Sequence, residues 1–306
     1  METGTPSKPW YRRIRYIVPV GILVILLILT LFDSIYTMPP SANQVRLNLT
    51  IDYFANNYDL TTGLIPETPT GHTFWLFSDN YLVLLAVSRY DTSNSSMSSF
   101  AAAMNAALYG YVATLPSDLV QNEYTALNST TSSFACSTDY QLSWSSNSQL
   151  VPGTGKATLM TTANNQSPNC ASQNYADLLF LQALYYHRLG NSTAATNYYT
   201  QASGDYDGKG VADLAYNGTV YQTYKLALFV YTASCLGYSP AANDTTAVNT
   251  LFALQDNSTG GFYAGYTVNL TSLNAAQFTP TGGVNTETTA LAALALEQLI
   301  HPSSTC

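Results

Sequence analysis

Charge is what this sequence has least of: only 9% of its 306 residues are Asp, Glu, Lys or Arg. A surface so poor in charge must draw its hydration from Ser, Thr, Asn and Tyr, or from attached glycans. Beyond residue 40, six Lys/Arg face sixteen Asp/Glu, a balance that disfavours nucleic acid and anionic membrane surfaces as partners. The three histidines are scattered and no C-x-x-C pair occurs, so no structural zinc site is expected and no metal is assigned. Gly153-Thr-Gly155-Lys156-Ala157 lacks the G-x-x-x-x-G-K-[ST] spacing of a phosphate loop. No cofactor is indicated.

What is present begins with a long apolar run. Tyr16 to Phe32 reads YIVPVGILVILLILTLF, uncharged, with thirteen Ile, Leu, Val or Phe residues. At the centre of a bilayer these favour insertion by about 4 to 8 kcal/mol. Ile35 to Met38 extend the span to membrane thickness. Lys8, Arg12, Arg13 and Arg15 precede it and only Arg46 follows closely, which places the N-terminus in the cytoplasm. The expectation is therefore a single-pass signal anchor over 16–38 in the cell membrane, a cytoplasmic segment 1–15, a linker 39–44 and an extracellular domain 45–306. A cleaved signal peptide is the competing reading. The run is longer than a usual h-region and no A-x-A-like site follows at once, although Pro39-Pro40-Ser41-Ala42 leaves processing open.

The rest of the chain suits an exterior location. Nine N-x-S/T sequons begin at Asn48, Asn94, Asn128, Asn165, Asn191, Asn217, Asn243, Asn257 and Asn269. Several would arise by chance in so polar a chain, and a sequon is used only outside the cytoplasm. Cys136, Cys170, Cys235 and Cys306 all follow the anchor, an even set that reads as two disulfides with three pairings open. Cys136–Cys170, flanking one irregular insert, and Cys235–Cys306 are the favoured pairs. Free buried thiols are the alternative.

About 265 residues follow Pro39-Pro40, enough for one domain with a large core. Helical spacing dominates, over Val45 to Tyr58, from a Ser78-Asp79 cap to Tyr90, and over Phe100 to Val112. It resumes from a Ser172 cap to a Gly190 stop, then over Thr193 to Ala202, Thr219 to Leu236, Thr245 to Leu254 and Asn285 to Ile300. Residues 128–169 are Ser/Thr/Asn/Gly-rich and read as an insert with one or two short strand pairs. A Gly260-Gly261-Phe262 turn and a polar loop precede the last helix. The pattern predicts an all-α domain of helical hairpins with a small irregular or β insert.

Two segments carry a resemblance. Leu251 to Phe262 (LFALQDNSTGGF) followed by Asn285 to Leu296 (NTETTALAALAL) resembles the helix–GGF-loop–helix repeat of α/α-toroid proteins. Gly63-Leu64-Ile65-Pro66-Glu67 with Thr73-Phe74-Trp75 and Asp79-Asn80-Tyr81 resembles loop-then-helix segments of six-hairpin glycosidase-like proteins. The resemblance implies an α/α-toroid fold and a carbohydrate-directed role. Fewer than twelve helices are visible, and no family catalytic pair can be placed. Thr193 to Ala202 after Leu189-Gly190 resembles part of a tetratricopeptide unit, but no 34-residue period recurs.

Sugar chemistry needs flat aromatic faces and two carboxyl groups, one to protonate the leaving oxygen and one to act as base or nucleophile. Asp79, Asp177, Asp213 and Glu287 are the candidate catalytic carboxyls. Trp75, Asn80, Tyr81, Tyr221 and Tyr224 are the candidate substrate contacts. Capping and helix-dipole stabilisation are the plainer account of Asp79, Asp177 and Glu287, and packing between helices accounts for the tyrosines. Asp205-x-Asp207-Gly208-Lys209-Gly210-x-x-Asp213 has part of a calcium-loop pattern, but Lys209 and Tyr216 stand where oxygen ligands belong. His72 and His187 are isolated. Two functions follow from these residues: a membrane-anchored hydrolase or lyase of extracellular carbohydrate, or a non-catalytic surface module holding glycans or surface-layer and other envelope proteins.

Overall fold

The computed structural model of the protein describes residues 41–71, 74–90, 95–113, 123–128, 158–160, 174–238, 245–269, 277–302 and 306. The elements begin with helix α1 (Ala42–Asn56), strand β1 (Phe74–Leu76), helices α2 (Phe77–Tyr90) and α3 (Ser95–Val112), a 3-10 turn (Glu123–Leu127) and strand β2 (Thr158–Met160). They continue with α4 (Ala176–Arg188), α5 (Ser192–Ser203), β3 (Tyr221–Gln222), α6 (Thr223–Cys235), α7 (Thr245–Ala253), β4 (Phe262–Asn269), β5 (Gln277–Asn285) and α8 (Thr286–Ile300).

The sequence of α8 explains its position. Alanines at 290, 292, 293 and 295 leave room for neighbours on several sides, and every residue from Thr288 to Gln298 is buried. A helix covered all round belongs in a core. Helices α1, α2 and α6 pack directly against it. Further out, α4 rests on α6 and pairs with α5 as a hairpin, turning at Gly190 with φ +73. Helix α3 lies on α2, and α7 on α6.

This arrangement corrects the all-α, toroid-like expectation. The helices gather around one of their own number instead of ringing an open axis in hairpins. A three-stranded antiparallel sheet, ordered β3-β4-β5, occupies the stretch read as a polar loop. Its main ladder runs from Phe262 opposite Asn285 to Asn269 opposite Gln277. Strand β4, with Phe, Tyr, Thr and Val, has ordinary strand chemistry. Strand β5 contains Pro280, Gly282 and Gly283, which read as a turn in sequence. An edge strand accepts such residues, and β5 is an edge.

The insert also differs from expectation, because its strand β2 pairs outside it, in parallel with β1 (Phe74 opposite Thr158 through Leu76 opposite Met160). Most of the insert and the apolar run Tyr16–Phe32, with Ile35–Met38, lie outside the described residues. Among the described residues no helix is long and apolar enough to cross a membrane.

The Gly260-Gly261 pair is where α1 meets the sheet. Gly260 has φ +82, and a Cβ there would lie 1.9 Å from the Leu49 carbonyl oxygen. A Cβ on Gly261 would lie 2.2 Å from Val284. The Gln255 amide ties the same junction, donating to the Arg46 carbonyl at 2.9 Å and to Thr50 Oγ1 and the Gly260 carbonyl at 3.0 Å. Gly260→Ala should therefore cost roughly 2 to 5 kcal/mol, combining left-handed strain with overlap against fixed backbone. Gly208 has φ +85 but open space around it, so Gly208→Ala should cost only about 1 to 2 kcal/mol. Urea unfolding of the two variants checks this, and equal losses would mean that α1 yields at Leu49.

Candidate functional site

The starts of α2 and α8 are drawn together by one short loop. Asn80, fully buried in the first turn of α2, accepts from the Ile65 amide at 2.8 Å. Its own amide donates to the Ile65 carbonyl at 3.0 Å and the Leu76 carbonyl at 2.9 Å. From the other side, Thr286 Oγ1 donates to the Pro66 carbonyl at 2.6 Å and the Thr286 amide to the Glu67 carbonyl at 2.9 Å. Asn285 caps α8, accepting from the Thr288 amide at 2.9 Å.

This clamp gathers three carboxyl groups. Asp79 is 1% exposed, and its Oδ2 is buried without a hydrogen-bond partner. Burial pushes its pKa well above the usual carboxylate range, and the charges of Glu287 and Glu67 push it further. The Ser78 hydroxyl, 3.3 Å from Oδ1, opposes this only in part. Glu67 and Glu287 are half-buried, and Glu287 accepts a hydrogen bond from the Tyr124 hydroxyl. Tyr53 lies close enough to feel Asp79, and its pKa rises to about 12, mainly through burial. A carboxyl that keeps its proton beside carboxylates that reach solvent is the division of labour acid–base chemistry uses.

The other two candidate acids form a separate cluster that binds a cation internally. Lys225, 2% exposed, places Nζ 2.5 Å from Asp213 Oδ2 and 3.9 Å from Asp177 Oδ1. Asp213 also accepts from the Ala176 amide at 2.9 Å and the Ala215 amide at 3.0 Å. The Tyr224 hydroxyl donates to Asp177 Oδ2 at 2.9 Å. Asp213 is thus fully engaged in holding the start of α4 to α6, and removing Lys225 would leave a buried charge at a cost of about 3 to 5 kcal/mol.

The remaining candidates take diverse places. Trp75 is fully buried in β1, its indole N–H without an acceptor, and borders a cavity of about 560 Å³. Tyr221 stacks on Tyr216 at 4.5 Å and Tyr266 at 5.4 Å and donates to Asp207 Oδ2 at 2.6 Å. Asp207 Oδ1 in turn accepts from the Lys209 and Gly210 amides. Tyr81 and His187 border a cleft of about 800 Å³, whose lining contains no Asp or Glu among the described residues.

Cys235 and Cys306 form a disulfide with Cα atoms 5.6 Å apart. His72, Cys136, Cys170, Asn94, Asn165 and Asn243 lie outside the described residues. Asn128, Asn191, Asn217, Asn257 and Asn269 are exposed. Asn48 is half-buried and accepts from the Tyr90 hydroxyl at 2.7 Å. Among the described residues no three His, Cys, Asp or Glu side chains are grouped to hold a metal ion.

Sequence reasoning named Asp79 and Glu287 but missed Glu67, Tyr124 and the pairing of Lys225. Proline before Glu67 was the available signal, since it fixes the loop that aims that side chain. Comparison of the chain with protein-family models, with curated proteins and with solved structures found no match.

Because folding raises the pKa of Asp79, the folded protein holds a proton that the unfolded chain has already released. Stability therefore falls as pH rises from the ordinary carboxylate range through the raised value, whereas below that window both states are protonated. Asp79→Asn removes the titration. Its melting temperature relative to wild type should climb between about pH 4 and about pH 8. Parallel melting profiles over that range would show that Asp79 is not buried as described.

Proposed function

We propose that this protein is a membrane-tethered enzyme of the cell exterior that cleaves carbohydrate, with Glu287 and Glu67 as the carboxyls that meet substrate. Asp79 stands behind them as a positioning residue, holding a proton and biasing theirs. The observation that carries this reading is the raised pKa of Asp79, caused by burial and by the two neighbouring glutamates. Glycosidic cleavage asks for such a pair of unequal carboxyl groups. The Tyr124 hydroxyl on Glu287 supplies a further proton donor at the same place. Purified full-length protein should release new reducing or unsaturated ends from at least one polysaccharide on a broad panel. Glu287→Gln should lower that rate by about a hundredfold or more while leaving the melting temperature within a few degrees. Turnover that survives the substitution would remove Glu287 from the reaction.

The exterior location is supported by the apolar run with its basic N-terminal flank and by the exposure of several sequon asparagines. Glycopeptide mass spectrometry on protein from its native host should find sugar at Asn191, Asn217 or Asn257. Asn48 should stay bare if modification follows folding, because Thr50 of that sequon is fully buried. Complete absence of glycan would weigh against export.

A second reading, a surface module that binds without turnover, is favoured by a different observation. Asp79 is almost inaccessible, and the 800 Å³ cleft has no acid in its described lining. Glycan binding without release of new ends, unaffected by Glu287→Gln, would select this second reading.

A further inference from the structure

Two of the six basic side chains beyond residue 40 meet at a single acceptor. Arg89, from the end of α2, donates Nη2 to the Leu127 carbonyl at 2.8 Å. Arg188, from the end of α4, donates Nη2 to the same oxygen. Two guanidinium groups sharing one carbonyl repel each other, and the pKa of Arg188 is lowered by burial and further by Arg89. In a molecule of net charge −8, carboxylates to offset them are plentiful. None is placed there: among the described residues, the only ion pairs are those of Lys225. The Arg188 Nε atom is buried with no acceptor. Arg89 uses only one further donor, toward the Tyr231 hydroxyl. Each guanidinium carries five N–H donors, so most of this donor set is unspent.

Both arginines line the 800 Å³ cleft, with Tyr81 on one wall, Tyr109 on another and Asn105 between them. Size and lining suit a small polar molecule with a ring, while paired guanidiniums suit an oxyanion. The geometry points to a binding site for a sugar-sized molecule bearing a carboxylate, phosphate or sulfate group, with that group held by Arg89 and Arg188. The site is separate from the carboxyl cluster: Asp79 and Arg89 stand at opposite ends of α2, about 15 Å apart along its axis. It does not depend on the protein being an enzyme.

Full-length protein titrated with glucuronate, glucose 6-phosphate, glucose 6-sulfate and uncharged glucose tests this, read by calorimetry and by melting temperature. At least one charged sugar should bind at about millimolar strength or tighter and raise the melting temperature. Glucose should bind at least about tenfold more weakly, and the difference should shrink with added salt. Inorganic phosphate and sulfate are run alongside. Binding of these ions as strong as that of every charged sugar would overturn the role given to the sugar body. Arg89→Gln should abolish the preference but also removes two internal hydrogen bonds. Ser88→Glu is the cleaner variant, because Ser88 is exposed at the cleft and both arginines remain. The new carboxylate should satisfy them, leaving a stable protein with charged-sugar affinity down about tenfold or more. No binding of any anion by wild type, equal binding of glucose, or undiminished binding by a folded Ser88→Glu variant would overturn the proposal.

Discussion

The candidate site depends on one clamp, the hold that Asn80 and Thr286 keep on the backbone of residues 65–67. These two side chains satisfy the Ile65 amide and the Ile65 and Pro66 carbonyls, and the Thr286 amide satisfies the Glu67 carbonyl. Buried peptide groups left unpaired would cost about 1 to 3 kcal/mol each, so the loop has little freedom to lie elsewhere. Its rigidity sets two helix starts side by side with Glu67 between them. The electrostatic character of Asp79 then follows from position alone. A side chain that would ordinarily cap a helix in water becomes a buried acid facing two like charges.

The two acidic clusters show how the same residue type is put to opposite uses. Asp213 and Asp177 were expected to resemble Asp79 because all lie near helix starts. Lys225, 2% exposed, turns the first pair into an internal ion cluster with its hydrogen bonds nearly complete. Asp79 has no cation and one oxygen without a partner. The first arrangement ties α4 to α6. The second concentrates like charge in a low-dielectric place, which costs stability and persists where chemistry needs it.

Helices were legible in the sequence wherever apolar side chains recurred at helical spacing or alanine was dense, as in Leu82–Val87 and Ala290–Leu296. The sheet was not, because half of it is written in Pro280, Gly282 and Gly283, residues whose local preference is for turns. Edge position and pairing to β4 override that preference, and neither is a local property. The site was half legible for a related reason. Asp79 and Glu287 announce themselves by standing at helix starts, whereas their convergence rests on a bond between Thr286 and Pro66, 220 residues apart. Arg89 and Arg188 gave no sequence signal, because each ends a different helix and only the fold brings both to Leu127.

The bond between Cys235 and Cys306 joins the end of α6 to a point just beyond α8 and closes a 71-residue interval around α7, the β4–β5 hairpin and α8. Closing a loop of that length lowers the entropy of the unfolded chain by about 4 kcal/mol at room temperature. It also decides where mechanical load goes. Tension entering at residue 306 passes to Cys235 and into α6 before it can act on α8. The central helix is shielded from a pull at that end and would be drawn out only after α6 gives way.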